Sequence, residues 1–314
     1  MQCMFSGVRG IEAGDAAEVS LGSGFSLVKP NDYLLSARTK HYMTGSEWED
    51  SAKVSRYLVY RNEHPFPPKT YEEIKNIFPC GLMAVQVLKP VRTLGIASYG
   101  EFLGYDGPDS HAVFTLQSVE RRPPMEPGPW AWRKPFDKEL IKRVPAVIEC
   151  IQQIMQGPNA ERRNAFILLQ LGLEHFHPLV AGLFWVMGLE AIFDSFGKEE
   201  FKKHLCACLG EDTLIFPDWH SQRAGPDLTV GKIAIDLYVL RNKLAHGADL
   251  RKAVSDPKYP VDLVEKRSVP GSSDPVPYAL LLSEAACYLL CQVLQKEIVK
   301  RFTPPALQQL PAHR

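Results

Sequence analysis

Apolar residues follow two different periods along the chain. Up to about residue 121 they come in short runs: "GSGFSLVKP", "GLMAVQVLKPVRTLGIASYG" and "HAVFTLQSVER" carry β-branched or alternating apolar positions bounded by Gly and Pro. That pattern predicts short strands. Two helices are predicted between them, because Ser46 with Glu49 and Thr70 with Glu73 match the S/T-x-x-E capping box, in which two side chains satisfy each other's free backbone N–H groups. The expected unit is a compact α+β domain over residues 1–135.

Beyond it the period becomes helical. Residues 138–156, 159–175, 179–195 and 198–209 have apolar positions three and four apart, with breaks at Gly157-Pro158, His177-Pro178, Gly197 and Gly210. A polar loop, "EDTLIFPDWHSQRAGPDL", leads to a fifth helix from near Thr229, with Ile233, Leu237, Leu240 and Leu244 on one stripe and Gly247 as its stop. The loop 248–275 carries Pro257, Pro260, Pro270 and Pro275, and a last helix is predicted over about 276–302. An all-α domain over 136–302 and a flexible tail over 303–314 complete the expectation. The boundary falls in "RRPPMEPGPWAWRKPF", whose five prolines exclude both a helix and a central strand.

Composition narrows the function classes. With 36 Lys+Arg against 36 Asp+Glu in 314 residues, no global field draws the protein to nucleic acid or to an anionic membrane, so RNA binding must come from a local patch. The most apolar region, "FILLQLGLEHFHPLVAGLFWVMGLEAIF", is interrupted by Gln170, Glu174, His175, His177 and Pro178, short of the roughly 20 consecutive apolar residues of a membrane span. The start of the chain lacks a signal-peptide core, and the cytoplasm is the expected location. Seven cysteines suit a reducing compartment. Cys206 and Cys208 project about 200° apart on a helix. Cys287 and Cys291 share a face but have no second ligand pair. The cysteines are read as buried thiols, and neither a metal nor a cofactor is expected.

The candidate chemistry lies in "LYVLRNKLAHG", residues 237–247. Arg241 and His246, five apart, point about 140° away from each other on an ideal helix, whereas Asn242 and His246 share a face. A cation near a helix C-terminus is favoured by the macrodipole by about 0.3–1 kcal/mol, so a helix-ending role alone is one reading. The other comes from "LFWVMGLEAIFD", an apolar helix with one carboxylate, Glu190, among core-type residues. A buried acid needs a partner, and Arg241 is the candidate.

Together, "FWVMGLEAIFD", "EEFKKHLCACLG" and "LYVLRNKLAHG" resemble the HEPN superfamily, specifically its Apea-like branch, over roughly residues 138–302. The resemblance implies a helical bundle with an upstream acid and an RN-x-x-x-H motif before a glycine. It further implies a homodimer joining two such motifs and metal-independent endoribonuclease activity leaving 2′,3′-cyclic phosphate ends, in a toxin or phage-defence setting. Arg241, Asn242 and His246 match the motif, with Glu190 in support. The chemistry is coherent, since RNA carries its own 2′-hydroxyl nucleophile, histidine moves protons near neutral pH and arginine presents a planar fork to phosphate oxygens. Other members of the family bind RNA, nucleotides or protein partners without cutting, so a non-catalytic binding module is the alternative. Nucleotidyl modification is a third possibility.

Weaker signals remain. Trp130, Trp132, Arg133 and Lys134 in "WAWRK" interleave aromatics with cations as a platform for single-stranded RNA would, although such tryptophans more often pin a linker to a core. His175 and His177 are read as a helix end. "GSGF" at 22–25 lacks the spacing of a phosphate loop or a dinucleotide fold. For the N-terminal module, target choice, signal sensing and holding a dimer inactive are all open, and a regulatory protein partner is possible.

Overall fold

The computed structural model describes residues 2–29, 44–45, 49, 54–62, 69–89, 93–106, 111–121, 136–175, 177–195, 197–215, 228–247, 262–268 and 275–301. The chain divides into two compact units, Met1–Glu126 with Lys134–Gln153 and Pro127–Arg133 with Ile154–Arg314. The first is built on a sheet and the second on helices.

The sheet has six strands: β1 (Gln2–Val8), β2 (Glu18–Gly22), β3 (Phe25–Val28), β4 (Arg56–Arg61), β5 (Thr93–Asp106) and β6 (His111–Arg121). Their order is β2-β3-β4-β1-β5-β6 and every pairing is antiparallel. In β1 every residue after Gln2 is buried, as expected of an interior strand. Its alternation is erased by that burial, which is why "QCMFSGV" gave no strand signal. β2 and β3 are joined by the tight turn Ser23-Gly24, where both residues take positive φ.

Helix α1 (Tyr71–Leu88) begins with the expected capping box: Thr70 Oγ1 accepts from the Glu73 backbone N–H and the Glu73 carboxylate accepts from the Thr70 N–H at 2.6 Å. It then differs from the sequence expectation. "GLMAVQVL", read as the start of a strand, is helix, and the strand begins only at Thr93. Residues 80–88 are buried on every side, so they show no helical period, and a short apolar run cannot be told from a strand by periodicity. Gly81 is required by packing. A Cβ there would lie 2.3 Å from the ring of Phe25.

Helix α2 (Lys138–Gln156) explains where the division of the chain falls. The sequence places the boundary at 135/136, whereas the division runs through α2 at 153/154. Phe136, fully buried, exchanges backbone bonds with Gly10 and Glu12 of the sheet unit, and Pro145 packs 3.4 Å from the Cβ position of Gly22. A change of period along the chain marks secondary structure; the unit a helix joins depends on what covers its apolar face.

The second unit holds α3 (Ala160–Glu174), α4 (Pro178–Phe193), α5 (Lys198–Leu209), α6 (Val230–Ala245) and α7 (Tyr278–Arg301). These ends lie within two residues of those predicted. A two-stranded ribbon, β7 (Lys266–Arg267) with β8 (Val276–Pro277), is an addition to the all-helical expectation. α4 packs on both α3 and α7, and small residues set the spacing. A Cβ on Gly172 would meet the Trp185 indole at 2.2 Å, and one on Gly182 would meet Ser283 Oγ at 2.3 Å. Trp185 Nε1 donates to the Leu169 carbonyl at 3.2 Å, so this aromatic ring is buried with its polar atom satisfied. Arg162 and Glu297 tie α3 to α7 at 2.9 Å. His175 and His177 do end one helix and cap the next.

Among the described residues one helix, Tyr278–Lys300, is long and apolar enough to cross a membrane by length and composition, and 78% of its most apolar window is buried inside the structure. It packs as a core helix. Cys287 and Cys291 on it are buried; Cys206 and Cys208 are half-buried. Several expected features fall outside the described residues: Ser46 of the first capping box, the platform Trp130, Trp132, Arg133 and Lys134, and the tail 303–314.

Candidate functional site

The site forms where α6 ends beside α4. α6 buries Ile233, Leu237 and Leu240, which fixes its rotation. Residues 238 and 241 are three apart, so they share a flank of the helix. The Arg241 guanidinium lies 5.9 Å from the Tyr238 ring centroid. Its Nε donates to Glu190 Oε2 at 3.0 Å and its Nη1 donates to Asn242 Oδ1 at 2.7 Å. Nη2 has no protein partner among the described residues.

The predicted partnership of Glu190 and Arg241 is therefore present. The two side chains are 14% and 29% exposed, and this burial sets the electrostatics. Desolvation raises the Glu190 carboxyl above the ordinary glutamate range, and the attraction and hydrogen bond of Arg241 reverse only part of that shift.

His246 is placed differently. It is the C-cap residue, with φ −96° and ψ 6°, and its backbone N–H donates to the Asn242 carbonyl at 3.1 Å. Gly247 follows at φ +62°, the left-handed conformation that glycine adopts without strain at a helix end. The His246 side chain is exposed, and its ring has no hydrogen-bond partner among the described residues. Arg241, Asn242 and Glu190 are thus brought into one bonded cluster, while His246 stands one turn on, open to solvent.

Next to the ion pair is an open cavity of about 570 Å³. Ile167 of α3, Met187 of α4, Asp194 and Tyr238 line it together with Glu190 and Arg241. Ile167 and Met187 are each 37% exposed. The wall carries two carboxylates against one guanidinium. Neither Asn242 nor His246 lines it. No protein-family model, curated protein or solved structure matches this chain.

Sequence reasoning missed a second polar cluster on α6. Tyr278 donates its hydroxyl to Asp236 Oδ2 at 2.7 Å, and the Arg267 guanidinium stacks 3.4 Å from the centre of the Tyr278 ring. Burial raises the Asp236 carboxyl, with the Tyr278 bond and the Arg267 charge opposing. Asp236 sits in "IAIDLYVL", an acid in an apolar helix that needs a partner as Glu190 does. Tyr238 was also findable, as the aromatic three residues before Arg241. The His/Cys/Asp/Glu side chains of the described residues form no group able to hold a metal ion.

Proposed function

We propose that the helical unit is a HEPN-type module whose α6 terminus cuts RNA without a metal. Arg241 binds the phosphate and His246 moves the proton. One observation carries this reading: at the end of α6 the arginine is fixed by two hydrogen bonds, while the histidine is exposed and its ring has no partner among the described residues. A histidine serving only to finish the helix could bond the free carbonyls with its side chain; among the described residues His246 does so with its backbone.

In the proposed reaction the RNA 2′-oxygen attacks the adjacent phosphorus and gives its proton to a histidine. The P–O5′ bond breaks, the 5′-oxygen takes a proton from a second histidine, and a 2′,3′-cyclic phosphate is left. Arg241 Nη2 faces the charge that develops on the phosphoryl oxygens. A single helix end supplies one histidine, so the proposal includes a homodimer that joins two ends. The setting implied by the resemblance is a cytoplasmic toxin or phage-defence effector.

The groove beside Arg241 favours a second reading. Exposed Ile167 and Met187 with the carboxylates of Glu190 and Asp194 suit a protein segment carrying a cation better than a polyanion. On that reading the unit is a non-catalytic binding module.

The deciding experiment is incubation of mixed cellular RNA with purified protein in excess chelator, wild type beside His246→Ala and Arg241→Ala, with 2′,3′-cyclic phosphate ends scored. Chelator-resistant cutting lost in both variants, with folding intact, supports the ribonuclease. Equal cutting by wild type and variants, or none by any of them, favours the binding module.

A further inference from the structure

We propose that the N-terminal unit binds a sugar phosphate, free or as the ribose phosphate of a mononucleotide, in a cavity between the β2–β3 turn, the end of β4 and α1. The cavity encloses about 470 Å³, in the range of small-molecule sites and far larger than a bare anion needs. Among the described residues its lining includes Arg61 and Lys69 and no carboxylate. Glu18 bonds Arg61, and Glu73 closes the cap of α1 on Thr70. Lys69, with the Glu18-bound Arg61 beside it on the lining, favours a phosphoryl group.

The rest of the lining asks for hydroxyls. Ser23, Tyr60 and Gln152 contribute polar groups, and Ile77 is the one aliphatic side chain there among the described residues. Tyr60 accepts a bond from Lys69 Nζ at 3.0 Å, which leaves its own O–H able to donate to a ligand oxygen. Asn62 is the second, independent observation. It lines the cavity and is only 7% exposed, yet its side-chain oxygen has no donor among the described residues. Buried polar groups are normally bonded, and an orphan implies a missing partner. The terminal torsion of asparagine is broad, so the amide can turn its oxygen toward a sugar hydroxyl. Anion-binding cations beside an orphan acceptor distinguish a hydroxylated phosphate from a plain anion. This inference is independent of the RNA-cutting proposal, which concerns the other unit.

Calorimetric titration of the whole chain with inorganic phosphate, ribose 5-phosphate and AMP tests it. Ribose 5-phosphate is expected to bind about tenfold or more tightly than inorganic phosphate, the scale of one well-satisfied polar contact. A further gain with AMP identifies the nucleotide as the source, and equal or weaker binding identifies the free sugar phosphate. Lys69→Gln should weaken every probe. Asn62→Leu should abolish the advantage of ribose 5-phosphate over phosphate while leaving the melting temperature of the free protein unchanged or higher, because the orphan amide is gone. The proposal is overturned by any of three results: no saturable heat from the three probes at millimolar concentration, inorganic phosphate binding as well as the sugar phosphate, or affinities indifferent to both substitutions. If Asn62→Leu unfolds the protein, Lys69→Gln decides alone.

Discussion

Arg241 of α6 and Glu190 of α4 form the one ion pair that joins these two helices among the described residues, Nε to Oε2 at 3.0 Å. Each side chain restrains the other: the carboxylate holds the guanidinium beside Tyr238, 5.9 Å from its ring centroid, and the guanidinium keeps a half-buried acid from standing without a counter-charge.

Removing one partner should therefore cost more than a surface pair would. Glu190→Ala is expected to destabilise the protein by about 1–2 kcal/mol, between the median of exposed pairs and that of charged hydrogen bonds. Urea denaturation checks the value, and a cost indistinguishable from zero would show that the pair is solvated in solution.

His246 should behave in the opposite way. Its ring is exposed and has no partner among the described residues, so His246→Ala is expected to change stability by less than about 0.5 kcal/mol while abolishing the proposed RNA cutting. Melting curves and cleavage assays on the same preparation separate the two effects. A large loss of stability would assign the residue to ending the helix.

Two glutamates give pH dependences of opposite sign. Burial raises the Glu190 carboxyl, so between the ordinary range near 4.3 and the raised folded value the native state keeps a proton the unfolded chain has lost, and stability falls as pH rises through that window. For Glu297, burial pushes upward but the bonds from Lys300 and Arg162 outweigh it and hold the carboxyl below the ordinary range. That contribution is full above the ordinary range and lost as pH falls through the depressed value. Unfolding free energy measured against pH should lose its neutral-side fall in Glu190→Gln and its acid-side loss in Glu297→Gln.

Gly182 is held by close packing against α7. The added Cβ of Gly182→Ala would lie 2.3 Å from Ser283 Oγ, 2.8 Å from its Cβ and 3.1 Å from its Cα, so α4 or α7 must shift. A loss of about 1–3 kcal/mol is expected from such overpacking. Ser283→Ala should fail to restore it, since the backbone contact remains. A double variant as stable as wild type would locate the clash in the hydroxyl alone.

Tyr278→Phe removes the hydroxyl that Asp236 accepts at 2.7 Å. The half-buried carboxylate is then left short of a donor, and about 1–2 kcal/mol of stability should be lost. Tyr278→Phe combined with Asp236→Asn should recover part of it. Additive losses in the double variant would mean that the two side chains act separately.

The sequence by itself determined the helices of the second unit, because in α3, α5 and α6 one face is buried and the other is not, and that asymmetry is written as a period of three and four. It also determined the cap of α1, which is local, and the pairing of Glu190 with Arg241, since an acid in an apolar helix needs a counter-charge. Tertiary structure decided what lacks such asymmetry. "GLMAVQVL" and "QCMFSGV" are buried almost throughout, so helix and strand read alike until the sheet and its neighbours are assembled. It decided that α2 joins the sheet unit, since either neighbour could have covered its apolar face. It also decided that Arg241 is locked while His246 stands open: sequence spacing fixes the angle between two residues on a helix, and only packing against α4 determines which of them is covered.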